Sequence, residues 1–352
     1  MSLQDAMRRF LPAIEEELRQ TAAVPHPALG AFYGMMRYHL GWTDTAFQPA
    51  ETPAGKRLRP LFCLLACWSA GGDPELALPA AAALELLHNF SLIHDDIEDN
   101  SATRRHRATV WTVWGVPQAI NVGDGMFALA NLTLGRLACT GAPQRLILPA
   151  ITAFQEACLT LTEGQFLDMD FETRAEVDLD DYLWMIQDKT ASLLATSTRL
   201  GALLADAETA TVGAYREFGA GIGMAFQIQD DVLGMWGDEA LLGKSTASDI
   251  VQRKKTLPWV YAVRELRRAG RLSDLARLQA IYGGPAAGPA EVAEVLGILE
   301  SVGARHFCDE QVLLYQEQAM DHLQRAACAP QTDVEALQVL RELADSLIGR
   351  QY

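Results

Sequence analysis

A long apolar stretch that ends in a burst of negative charge constrains this chain more than any other feature. Residues 79–99 are largely apolar and close as Leu87-His88-Asn89-Phe90-Ser91-Leu92-Ile93-His94-Asp95-Asp96-Ile97-Glu98-Asp99. A helix that is apolar on every side is a buried helix. Four acids in five residues repel one another there, at the end where the helix dipole also disfavours anions. A solvated charged end would tolerate them, whereas a buried one needs a cation. Asp95 and Asp99 are four apart and so share one helix face. Side-by-side carboxylates suit Mg²⁺, which keeps several waters and shares the oxygens of a bound phosphate.

A second acidic cluster, Phe226-Gln227-Ile228-Gln229-Asp230-Asp231, lies 135 residues on and ends another apolar stretch, 219–229. One Asp-Asp pair is weak evidence, but two pairs that each end an apolar helix reinforce one another. If those helices face each other, their carboxylates can hold several metal ions around one diphosphate. Such a ligand also needs fixed positive charge. Gly55-Lys56-Arg57-Leu58-Arg59-Pro60 places three cations in four residues at the start of an apolar helix. Positive charge is unfavourable at that end, and a bound diphosphate compensates it. An ordinary basic helix start is the plainer reading. Arg104-Arg105, with His106 and Arg107 behind, follows the first acid cluster. It either neutralises those acids or adds to an anion site.

The formal net charge of −16 excludes a nucleic-acid partner, because a phosphate backbone needs a basic surface. Cationic groups must therefore be concentrated locally. Six cysteines contain no CxxC pair; Cys63 and Cys67 are four apart in an apolar helical stretch, which predicts packing rather than metal or redox work. The N-terminus begins an amphipathic charged helix rather than a signal sequence. The most apolar run, 76–87, is interrupted by Pro79 and Glu85 and is too short for a membrane span. A cytoplasmic protein is the expectation.

Helical periodicity dominates, over 3–22, 27–41, 57–70, 79–99, 118–138, 145–172, 179–205, 209–236, 257–269, 272–282, 289–325 and 333–350. Gly71-Gly72-Asp73-Pro74, Gly115-Val116-Pro117 and the Gly/Pro-rich 283–289 supply the breaks. No run of alternating strands is evident, and no internal repeat or clear domain boundary. The expectation is one all-α domain over 1–352, an antiparallel helix bundle.

These motifs, in this order from about residue 50 to 260, resemble the trans-isoprenyl diphosphate synthases, or polyprenyl synthetases, such as the geranylgeranyl and farnesyl diphosphate synthases. The matching segments are GKRLRP, DDIED with Arg104-Arg105 behind it, Lys189-Thr190, FQIQDD and GKSTASDI…KKTLP. The resemblance implies the isoprenoid synthase fold, helices around a deep central cavity, usually as a homodimer. It implies that Asp95 and Asp99 bind two Mg²⁺ with Asp96 in support, and that Asp230 holds a third, helped by Asp231; Mn²⁺ is expected to substitute. Arg104, Lys189, Thr190, Gln227, Lys244 and Lys254 would contact an allylic diphosphate, with Lys189 also counted among the catalytic groups beside the aspartates. Lys56, Arg59, His88 and Arg105 would bind isopentenyl diphosphate. His88 alone reads as a core histidine, but it lies seven residues before Asp95, two turns away on the same face. One departure stands out: Gly234 occupies the position where many members carry a third Asp of the second cluster.

Isopentenyl diphosphate is a poor nucleophile, so its allylic partner must ionise first. Metal and cationic side chains stabilise the departing diphosphate, and water must be excluded. The growing chain needs an apolar tunnel. Phe90 lies five residues before Asp95, about 7.5 Å deeper at ~1.5 Å per residue, on a stripe with Leu87, Leu86 and Ala83. Core packing is the plainer reading of that stripe. In the resembling family a bulky residue at this place is a floor that limits product length. Small Ser91 beside it would not block, so one aromatic favours a C20 product, geranylgeranyl diphosphate, over C15. The competing readings are farnesyl diphosphate synthesis, a class I terpene cyclase, a non-catalytic subunit of a two-subunit synthase, and a phosphohydrolase suggested by His94-Asp95.

Overall fold

The structure, a computed structural model, describes residues 1–349 except 51, 53, 54, 238–246, 285 and 286. The chain falls into two compact units. The first comprises Met1–Gln155, Thr196–Tyr215 and Ala326–Leu340, and the second Glu156–Ala195, Arg216–Arg325 and Arg341–Tyr352. Both are built from helices, as the periodicity predicts.

The first unit is organised on α4 (Leu78–Glu98). Asp73 caps the short 3₁₀ turn before it by accepting from the Glu75 N–H at 3.0 Å, and Pro79 sits in its first turn, where a missing N–H costs nothing. Residues Pro79 to Leu87 are all buried, and α4 packs against α1 (Leu3–Thr21), α3 (Leu58–Ser69) and α6 (Val116–Gly135). Pro74–Glu98 is long and apolar enough to cross a membrane, with a mean hydropathy of 1.5, but most of it is buried within the protein, as in a core helix. Around it, α1 contributes the stripe Ala6, Phe10, Ile14 and Leu18, and its start is closed by reciprocal Ser2–Asp5 bonds. Cys63 and Cys67 of α3 are buried thiols; burial pushes Cys67 up to about 12, so neither is poised as a thiolate. Part of α9 (Ser192–Leu204) lies directly on α3. A Cβ on Gly201 would meet the Cys63 carbonyl oxygen and come within 2.8 Å of the Ala66 Cβ.

In the second unit α8 (Leu179–Ile186) packs on α12 (Leu257–Arg268), which also meets α13 (Leu272–Tyr282) and α14 (Pro289–Ser301). Tyr261 stacks on Phe307 of α15 (Ala304–Ala326) at 4.0 Å between ring centres. The latter part of α10 (Thr209–Trp236) approaches the end of the α8 segment closely: a Cβ on Gly223 would lie 2.8 Å from that of Ala191.

Three expectations are corrected. The span 289–325 is two helices, because Gly303 adopts φ +71 and ends α14. The span 179–205 is interrupted by a π turn, Gln187–Ala191, between α8 and α9. Between 99 and 118, where no element was expected, the chain is structured. It forms a two-stranded hairpin, β1 (Thr103–Arg104) with β2 (Arg107–Ala108), then the short helix α5 (Val110–Trp114). The hairpin turn uses Arg105 (φ +52) and His106 (φ +62), left-handed residues where Asn-Gly is the usual signal, so its sequence does not announce it. The remaining helices are α2 (Gly30–His39), α7 (Gln144–Thr173), α11 (Ser248–Val251) and α16 (Val334–Ile348).

Gly201→Val is expected to lower stability by about 1–3 kcal/mol, because the backbone of α3 has nowhere to retreat inside a packed core. Equilibrium denaturation measures this; an unchanged midpoint would contradict the close α3–α9 approach.

Candidate active site

The end of α4 divides its acids between two directions. Asp95 and Asp99 are half-buried and one turn apart, joined by the Asp99 N–H donating to the Asp95 carbonyl at 2.8 Å. Asp96 points the other way and is 1 % exposed. Its Oδ1 accepts from the Arg104 Nε at 2.7 Å, and its buried Oδ2 has no partner among the described residues. Burial raises the Asp96 pKa and Arg104 pulls it back. Asp96 is therefore the anchor of Arg104 rather than an outward ligand.

The Arg104–Arg107 hairpin is fastened from the other side by Arg107. Its guanidinium donates to the carbonyls of Tyr38 and Thr43 and to the Thr52 hydroxyl at 2.7–2.9 Å, and lies over the Tyr38 ring at 3.9 Å. Arg105 is left at the hairpin tip. A Cβ on Gly55 would come 2.8 Å from an Arg105 Nη, so the basic loop at 55–59 and the hairpin meet. Tyr38, His39, Asp96, Arg104, Arg105 and Arg107 help to line a small cleft.

The electrostatics of this corner are strongly positive in an acidic protein. Burial lowers Arg59 to about 10, with Arg105 adding to the effect and Glu85 opposing it; its Nε is buried with no partner among the described residues. His88 is held well below the usual histidine range by burial and then by Arg59, Arg105 and Arg104. His39, absent from the sequence reading, is lowered by burial and by Arg105, Arg104, Arg57 and Arg107. Burial first, and the surrounding cations second, keep both imidazoles neutral at neutral pH. Such a cluster stabilises an incoming multivalent anion.

The apolar stripe of α4 also gains a partner that sequence reasoning missed. Phe90 packs on Phe127 of α6, ring centres 5.1 Å apart, and on His94 at 4.9 Å. Leu87 is fully buried, and the Ser91 hydroxyl donates to the His88 carbonyl at 2.9 Å. His94 turns toward α6, near the Ile120 carbonyl at 3.4 Å and Gly123, rather than joining Asp95.

In the second unit, α10 splits its Asp pair in the same manner. Asp230 is exposed and Asp231 is 2 % exposed. Asp231 accepts from the Tyr182 hydroxyl at 2.7 Å, the Gln227 amide at 3.0 Å and the Leu257 N–H at 3.2 Å. Burial pushes it up to about 7 against those three bonds. Both Asp231 oxygens, expected to help hold an ion, are engaged by protein donors in the interior. The Gln227 carbonyl oxygen in turn accepts from the Thr190 hydroxyl at 2.8 Å. Lys189 and Thr190 lie in the π turn, an irregularity common at functional sites. Lys189 pairs with Asp168 of α7, a partner the sequence did not suggest. Lys254 is half-buried. Lys255 donates to the carbonyls of Phe171 and Glu172, both at 3.0 Å, and caps the end of α7. Lys244 lies outside the described residues.

Asp95, Asp99 and Asp230 fit a hard divalent cation by donor type, since carboxylate oxygens are what Mg²⁺ takes. Among the described residues no three acidic, histidine or cysteine side chains form a cage.

The sequence matches the Polyprenyl synthetase family over residues 41–299. This chain belongs to that family. A (2E,6E)-farnesyl diphosphate synthase of Mycobacterium tuberculosis is 39% identical over 98% of this chain and 94% of its own length. A geranylgeranyl diphosphate synthase of the same organism is 41% identical over 77% of this chain and 75% of its own. The crystal structure of a polyprenyl synthetase from Streptomyces coelicolor A3(2) superposes with a TM-score of 0.86 at 32% identity, covering 99% of this chain and 100% of that one. The chain is thus a prenyltransferase with an all-α fold.

Within this polyprenyl synthetase, Gly234 has a geometric reason. It lies one turn after Asp230 on α10, and a Cβ there would collide with the Asp249 carboxylate, whose carbon would be 2.5 Å away. The space that a longer side chain would fill is taken by Asp249 of α11. Gly234→Asp is therefore expected to lower kcat/KM by roughly tenfold or more, by displacing Asp249, rather than to strengthen metal binding. Steady-state rates against Mg²⁺ concentration measure this; a gain in metal affinity at full activity would refute it.

Proposed function

We propose that this prenyltransferase joins isopentenyl diphosphate head to tail to an allylic diphosphate in a Mg²⁺-dependent reaction, with geranylgeranyl diphosphate as the main product. The observation that carries the reading is the corner built from Lys56, Arg59, His88 and Arg105 beside the Asp95/Asp99 end of a buried helix. It offers fixed positive charge and hard oxygen donors together, the two things a diphosphate needs.

Lys56, Arg59, His88 and Arg105 bind the diphosphate of isopentenyl diphosphate, with neutral His88 serving as a hydrogen-bond partner. Arg104, Lys189, Thr190, Gln227, Lys244 and Lys254 serve the allylic diphosphate. Asp95, Asp99 and Asp230 hold three Mg²⁺, for which Mn²⁺ substitutes. When bound, the metal supplies Lewis-acid stabilisation of the leaving diphosphate. The allylic carbon–oxygen bond breaks, the alkene attacks the resulting cation, and the proton lost afterwards passes to the released diphosphate. Apolar side chains keep water from the cation. Asp96 and Asp231 act indirectly, by fixing Arg104 and Gln227.

Phe90 supports a product floor. Its contact with Phe127 favours the second reading, a C15 product, because two rings block more than one; the relatives include synthases of both names. A homodimer is part of the proposal. Leu159, Phe166 and Met169 of α7 expose an apolar face, at 60%, 64% and 39%, suited to cover by a second copy.

Purified protein incubated with labelled isopentenyl diphosphate and a C5, C10 or C15 primer is expected to give C20 product with Mg²⁺ and none with EDTA. A cyclised hydrocarbon, or no condensation with any primer, would sink the proposal. Phe90→Ala is expected to shift the product distribution, read by mass spectrometry, upward by at least one C5 unit. An unchanged distribution would remove Phe90 as the floor.

A further inference from the structure

The middle cation of the basic loop does something different from its neighbours. Arg57 is 3% exposed, whereas Lys56 beside it is exposed. Its backbone is left-handed, φ +50 and ψ +39, a costly conformation for a residue with a side chain, and it stands as the N-cap of α3 without a capping bond. Something must hold it there. The Arg57 Nε donates to Glu15 Oε1 of α1 at 2.6 Å, Nη1 to Glu85 Oε1 of α4 at 2.9 Å, and Nη2 to the Leu40 carbonyl after α2 at 3.2 Å. All three guanidinium nitrogens are therefore committed to protein.

The carboxylates are themselves fixed. Glu85 is 2% exposed and its Oε1 also accepts from the Asn89 amide at 2.9 Å. Glu15 Oε2 accepts from the Trp42 indole at 2.8 Å. The charge of Glu85 reaches Arg59 and Arg105 as well, opposing the loss of charge that burial imposes on each. One buried carboxylate thus sits beneath three arginines. A turn of left-handed backbone at Arg57 sets the directions in which the chain leaves on either side. On one side lies Lys56; on the other, Arg59 presents an Nε that is buried without a partner among the described residues.

We propose that Arg57 is a positioning residue: it touches no substrate, and through Glu15 and Glu85 it locks the loop twist that aims Lys56 and Arg59 at the diphosphate of the homoallylic substrate. This rests on the proposed prenyl transfer, and deepens it by assigning the buried network to one of the two substrates. Losing the lock lets the loop relax to ordinary backbone and swings Lys56 away, while the Asp95/Asp99 end of α4 keeps its place.

The test is steady-state kinetics of Glu15→Gln, Arg57→Lys and Arg57→Met, with both substrates varied and folding checked by thermal denaturation. Arg57→Met/Glu85→Gln is added so that no buried charge is left alone. The KM for isopentenyl diphosphate is expected to rise on the order of tenfold in Arg57→Met and in the double variant. kcat and the KM for the allylic primer should stay within about twofold. Arg57→Lys, a point charge that cannot span both carboxylates, should fall between these and wild type, as should Glu15→Gln. Should Arg57→Met not fold, Glu15→Gln decides, because Glu15 lies at the solvent-facing edge of the network. Folded variants with an unchanged KM for isopentenyl diphosphate would overturn the proposal, as would a parallel loss of kcat and both KM values. A wild-type protein with no prenyl transfer would instead overturn the functional reading itself.

Discussion

Buried carboxylates holding arginines are the interaction on which the cationic corner of the first unit depends. Arg57, Arg59, Arg104, Arg105 and Arg107 gather with two histidines in one region of a chain whose formal net charge is −16. Left alone, such cations repel one another, and burial would add to the cost. Glu85 and Asp96, both almost inaccessible, offset this from beneath. Their pairing with Arg57 and Arg104 is geometrically tight, at 2.9 and 2.7 Å. Buried pairs of this type contribute little net stability over apolar residues of similar size. What they do supply is direction: they decide which arginines face inward and which face the cleft.

That division of labour recurs in several charged pairs of the motif segments. A helix turns by roughly 100° per residue, so adjacent side chains cannot share a target. Asp95 faces out and Asp96 in; Asp230 faces out and Asp231 in. Lys255 caps the end of α7 through backbone carbonyls. In the basic loop Lys56 is exposed and Arg57 is buried; in the hairpin Arg107 is the fastener and Arg105 the tip. In the Asp95/Asp96, Asp230/Asp231 and Lys56/Arg57 pairs the inward member anchors the element that carries the outward one. Asp231 is the fullest case, since it ties the Tyr182 hydroxyl, the Gln227 amide and the first N–H of α12 to one carboxylate.

Much of this was legible beforehand, and the limits have physical causes. The i, i+4 spacing of Asp95 and Asp99 and the apolar run before them marked both the core helix and the acidic end. Their order with GKRLRP and the second Asp pair marked the family. Spacing alone could not say which acid of a doublet points inward, because that depends on what packs against the helix. The hairpin at 103–108 was invisible because its turn is made by Arg and His in left-handed conformations, stabilised by long-range bonds from Arg107 to Tyr38, Thr43 and Thr52. The π turn holding Lys189 and Thr190 leaves no mark in apolar periodicity. Phe127 was missed since it meets Phe90 only through the packing of α4 on α6.

Gly234 shows how an apparent loss in a motif is reinterpreted once neighbours are known. Read along the chain, the missing third Asp suggests a weaker metal site. In three dimensions the position is crowded: the Asp249 carboxylate reaches from α11 into the volume just beside the Gly234 Cα, one turn along α10 from Asp230. Negative charge is therefore present at that turn although residue 234 does not carry it, and only a residue without a side chain admits it. The same reasoning applies to Gly123 under the His94 ring. At each, the missing Cβ is the space in which a functional or neighbouring side chain rests. These glycines are specified by the partner that occupies them, a requirement a linear motif records only as a departure.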